Sequence, residues 1–71
     1  MSDREVRELT AIRFELRERL IARGDARAPS IEALLTRMAA LAGGDAELAR
    51  ELERWRLRFE LLGMIAIPVA A

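Results

Sequence analysis

The stretch DAELARELERWRLRFELL, residues 45–62, admits two readings, and the choice between them decides the fold. Its second half, Trp55 to Leu61, alternates apolar and charged residues as a half-buried strand does. Read from Leu48, the same stretch spaces Leu48, Leu52, Trp55, Phe59 and Leu62 at intervals of four, three, four and three. That is a helical seam of heptad-like spacing. The helical period begins earlier than the alternation, and the surrounding Ala, Glu, Leu and Arg are strong helix formers. The stretch therefore reads as a helix, capped at its start by Asp45 and ended by Gly63.

Upstream, two more helices are legible. Pro29-Ser30 is a stop-start signal with Ser30 as N-cap, and Ile31, Leu34, Leu35, Met38, Leu41 and Ala42 supply an apolar stripe. Gly43-Gly44 ends it. At the N-terminus, Ser2-Asp3-Arg4-Glu5 reads as a capping box, in which the serine and glutamate side chains each satisfy the other's backbone N–H. Val6, Leu9, Ile12, Leu16 and Leu20 follow, with Phe14 and Ile21 at the flank. Gly24 suits the left-handed position after the helix. The expectation is an all-α three-helix bundle, a helical hairpin plus a short middle helix, over residues 1–63. Its helices lie near 3–23, 31–42 and 46–63, and residues 64–71 form an apolar tail. The expected core is Leu9, Leu16, Leu20, Leu34, Leu35, Met38, Leu48, Leu52, Trp55 and Phe59. Truncating Trp55 to Ala should then cost ~3–5 kcal/mol if the residue is buried.

The residue types narrow the function. The chain has no His, Cys, Lys, Tyr, Asn or Gln. No cofactor, metal ligand set or catalytic residue is expected, because the usual zinc and haem ligands, Schiff-base lysine and activated nucleophiles are missing. Carboxylates remain, at Glu47/Glu51, Glu15/Glu18 and Glu53/Glu60, but most have an Arg three or four residues away, as in Arg4/Glu8, Glu15/Arg19, Glu47/Arg50 and Glu51/Arg54. These read as solvated helix pairs and not as an acid/base site. Twelve Arg balance twelve Asp and Glu. That balance argues against a general nucleic-acid or acidic-membrane binder. The longest apolar run, residues 61–71, is broken by Pro68 and falls short of the ~20 residues that span a bilayer. The charged, amphipathic N-terminus has no apolar h-region of a signal peptide. The Ala/Glu/Leu/Arg content and the terse Gly-Asp loop resemble computationally designed small helical bundles. A GC-rich genome would also favour Ala and Arg over Lys and Asn, so composition leaves the origin open.

Three features could act on a partner. Arg23-Gly24-Asp25 matches the integrin-binding Arg-Gly-Asp tripeptide and lies in an expected turn, where a helix end also needs a glycine. Arg13 and Arg17 fall inside the apolar face of the first helix, where they must reach its exposed edge or find a carboxylate. Leu57, Leu61 and Met64 lie opposite the Leu48–Leu62 seam, and Ile65, Ile67 and Val69 add apolar surface. A bundle this small, with no disulfide or zinc, is near the lower limit of independent stability. The expected function is a non-enzymatic interaction or assembly module. Its interface would be Leu57, Leu61, Met64, Ile65, Ile67 and Val69, forming a homo-oligomer, most simply a dimer, or docking on a protein partner. The alternatives are a receptor-binding miniprotein presenting Arg23, Gly24 and Asp25 to an integrin, or a small protein that docks on and inhibits a larger enzyme.

Overall fold

The computed structural model describes residues 1–68 and contains three helices, α1 (Asp3–Ile21), α2 (Ile31–Ala42) and α3 (Ala46–Leu61). There is no strand among the described residues, so the alternation at Trp55–Leu61 is carried on a helix. The N-caps are those the sequence marks. Ser2 Oγ accepts from the Glu5 N–H at 3.2 Å, and the Glu5 carboxylate accepts from the Ser2 N–H at 3.2 Å. Ser30 Oγ accepts from the Ala33 N–H, and Asp45 accepts from the Glu47 and Leu48 N–H groups. Each satisfies donors that the first helical turn leaves without a partner.

Glycines end two of the helices in different ways. α3 closes in a Schellman motif: the Met64 N–H donates to the Phe59 carbonyl at 2.9 Å and the Gly63 N–H to the Glu60 carbonyl at 3.0 Å. Gly63 has φ +72°, which a side chain would strain. Between α2 and α3 the Asp45 N–H donates to the Ala42 carbonyl at 2.7 Å. Gly43, at φ +51° and ψ −120°, occupies the first central position of a type II′ turn. Helices α1 and α3 each stop two residues before the expected limits, because the turns at Ala22–Asp25 and Leu62–Gly63 begin inside the apolar periodicity.

Helix α2 packs against both neighbours. The N-terminal ends of α1 and α3 line one cleft, through Met1, Leu9, Asp45 and Leu48, so these two helices point the same way. The core is Leu9, Ile12 and Leu16 from α1, Leu34, Leu35, Met38 and Ala42 from α2, and Leu48 and Phe59 from α3. Three expected core residues are corrected: Leu20, Leu52 and Trp55 are only half-buried and pack against its edge. A domain of this size encloses few positions completely, and the central helix supplies more of them than either neighbour. Ile12 and Ala42 are buried in their stead, and Val6 is exposed.

Trp55 shows what the edge position does. Its ring stacks on Phe59 with centroids 6.2 Å apart and planes at 19°. The Arg58 guanidinium sits 5.2 Å from the ring centroid, and the indole N–H donates to Glu51 at 3.1 Å. Trp55→Ala should therefore cost ~1–3 kcal/mol, less than a core truncation, read as a lowered but still cooperative thermal melt.

Candidate functional site

Helix α3 presents two faces. The inner one holds Leu48 and Phe59. On the outer one Leu57 is 55% exposed and Leu61, one turn later, is 75% exposed. At about 100° per residue both lie roughly opposite the core seam. Arg54 and Arg58 flank them and together with them line a shallow apolar depression of about 230 Å³. Ile67 is also exposed. The remaining interface residues expected from the sequence are not all on this face. Met64 and Ile65 are half-buried and pack against the chain's own core. The Schellman turn ends the helix at Leu61, so Met64 leaves the helical stripe and turns toward Phe59 and the α1–α2 loop. Val69 lies outside the described residues.

A second exposed apolar stripe is one the sequence reading did not isolate. Val6, Phe14 and Ile21 on α1 are all exposed and fall within about 80° of one another around the helix. The helical period sets Val6 in line with the core stripe and Phe14 and Ile21 at its flank, yet all three face solvent. The signal available was their shared offset from Leu9, Ile12 and Leu16.

The two arginines singled out on α1 part company. Arg17 is exposed. Arg13 reaches across to α3 and binds Glu51 through both oxygens, Nε to Oε2 at 2.8 Å and Nη2 to Oε1 at 2.6 Å. The side chains are 42% and 21% exposed, so solvent screens the pair in part. The hydrogen bonds from Arg13 hold the Glu51 carboxyl below the usual glutamate range; burial opposes this, and the Trp55 indole adds to it. Glu51 is thus an inter-helix partner and not the solvated neighbour of Arg54 that the local spacing suggests. A carboxyl lowered in the folded state stabilises above its unfolded value of 4.5, and this contribution disappears as pH falls through the folded value. Glu51→Gln should cost about 1 kcal/mol at pH 7 and progressively less as pH falls through the folded value, flattening part of the acid limb of a melting-temperature profile. A profile parallel to that of the unsubstituted chain would contradict it.

The buried charge that sequence reasoning missed is Arg19. It is 1% exposed, although local spacing marks it as half of a solvated Glu15/Arg19 pair. Its Nη1 donates to the Glu15 carbonyl at 3.0 Å and to the Glu15 carboxylate, and its Nη2 to the Pro29 carbonyl at 2.7 Å and the Arg27 carbonyl at 3.4 Å. Arg19 thereby ties the α1–α2 loop to α1. Spacing finds its partner Glu15 but neither its burial nor its bonds to the loop carbonyls, which come from a different element.

In the Arg23-Gly24-Asp25 turn, Gly24 has φ +88° and the Asp25 N–H donates to the Ala22 carbonyl at 3.1 Å. The Asp25 carboxylate is folded inward, with its side chain 17% exposed. It accepts from the Arg27 N–H at 2.9 Å and from Arg27 Nε at 2.5 Å. These bonds, the backbone one foremost, hold its carboxyl below the usual aspartate range.

A cleft of about 360 Å³ between the N-terminal ends of α1 and α3 is lined by Arg13, Arg54, Asp45, Glu47 and Glu51 among others. Asp45 is used as a cap and Glu51 is held by Arg13. No helix of the described residues is long and apolar enough to cross a membrane. No protein-family model, curated protein or solved structure matches the chain.

Proposed function

We propose that the chain is a non-enzymatic helical interaction module that self-associates through the outer face of α3. One observation carries the reading: Leu57 and Leu61, a helical turn apart, stand exposed on the side of α3 away from the core. Burying the exposed parts of these two leucines contributes ~2–4 kcal/mol per subunit before the cost of association. A small chain without a disulfide or metal gains most from that burial.

The test is the molar mass of the full chain by sedimentation equilibrium from micromolar to millimolar concentration. A dimer that becomes monomeric in the Leu57→Glu/Leu61→Glu variant, with helicity intact, is expected. Because both positions are exposed, the double substitution leaves the core packing unchanged. A monomer throughout the range for the unsubstituted chain would overturn the proposal. The receptor-binding alternative has less support, since Asp25, the residue that would reach the receptor's metal, is engaged by Arg27.

A further inference from the structure

The outer stripe of α3 carries unlike charges on its two sides. At about 100° per residue, Glu53 and Glu60 lie some 60–80° to one side of Leu57 and Leu61. Arg54 and Arg58 lie a similar angle to the other side. Glu53, Arg54 and Arg58 are all exposed. The Arg58 guanidinium is held on that side by its contact with the Trp55 ring.

Two identical helices can meet along such a stripe in two ways. Antiparallel, each side meets its own copy, arginine against arginine and glutamate against glutamate. Parallel, each side meets the opposite one, and Glu53 of one copy faces Arg54 and Arg58 of the other. The spacing of five residues from Glu53 to Arg58 is the one that joins the flanking positions of a parallel two-stranded coiled coil. Like charges placed together disfavour an orientation as strongly as unlike charges favour the other. Arg50 precedes Leu57 on the stripe, so the apolar contact centres on Leu57 and Leu61.

Resting on the self-association proposed above, we infer that the second copy docks on α3 in parallel, about a two-fold axis running along the helices. Two measurements test it. The chain has no cysteine, so Leu57→Cys introduces a single reactive thiol. In the parallel dimer Leu57 meets Leu57 of the second copy, and mild oxidation of this variant alone should give a disulfide-linked dimer. If only a mixture of Leu57→Cys and Leu61→Cys chains becomes linked, the copies are antiparallel. That result would overturn the orientation and leave self-association standing.

The second measurement is the dimer dissociation constant of charge-reversed chains. Glu53→Arg and Arg58→Glu should each weaken the dimer about tenfold, and the double reversal should restore it. In an antiparallel dimer each single reversal would either keep a like-charge contact or relieve one, so dissociation constants that are unaltered or lowered would also overturn the inference. A chain that is monomeric at every concentration would remove both the orientation and the reading beneath it.

Discussion

Phe59→Ala abolishes cooperative unfolding. Phe59 is fully enclosed, the largest apolar side chain in that condition, and it is α3's main anchor in the core. Truncating a buried phenylalanine costs ~3–5 kcal/mol, from lost burial plus the cavity left behind. A domain of 71 residues has a total stability of roughly 4–10 kcal/mol. Losing Phe59 also removes the ring on which Trp55 stacks and the apolar contact beneath the Schellman turn. The expected result is a broad, non-cooperative thermal transition by circular dichroism, with Trp55 fluorescence shifted to longer wavelength. Phe59→Leu, which keeps most of the volume, should retain a cooperative melt at a cost of ~1–1.5 kcal/mol. A sharp, unshifted transition in the alanine variant would mean that α3 is anchored elsewhere.

Arg19→Ala has the second largest expected effect, about 3 kcal/mol. It leaves the Pro29 and Arg27 carbonyls without the donor they now have and opens a cavity against the core. Arg19→Met separates the two causes. It fills most of the space but donates nothing, so it should recover part of the loss and leave ~1–2 kcal/mol unrecovered. Equilibrium urea unfolding of the three chains measures this. A methionine variant as stable as the arginine chain would show that packing, and not the loop carbonyls, is what Arg19 supplies. Arg19→Lys is a poor substitute, because one ammonium cannot reproduce the guanidinium's planar set of donors to Glu15 and the loop.

Legibility in the sequence follows the range of each interaction. The caps at Ser2, Ser30 and Asp45 were readable because each is a contact over two or three residues, and such contacts depend on little else. The glycine turns at Gly43 and Gly63 were readable for the same reason: a positive φ excludes most side chains whatever surrounds it. The outer pair Leu57 and Leu61 was legible because a helix has one period, and residues opposite a clear seam stay opposite it. Met64 was misplaced where that period ends.

By itself, then, the sequence determined three helices, their order, their starts and most of their buried faces, since local backbone satisfaction and the 3.6-residue period are properties of neighbours along the chain. Only the tertiary structure decided which charges those helices use. Arg13 and Glu51 are 38 positions apart, and Arg19 and Pro29 belong to different elements. Local spacing offered each of these charges a plausible neighbour, Glu15 for Arg19 and Arg54 for Glu51. Packing α1 beside α3 gave Glu51 a partner in Arg13, and the loop over α1 gave the buried Arg19 two carbonyls in addition to Glu15, because a charge deprived of water takes every partner that the fold brings to it.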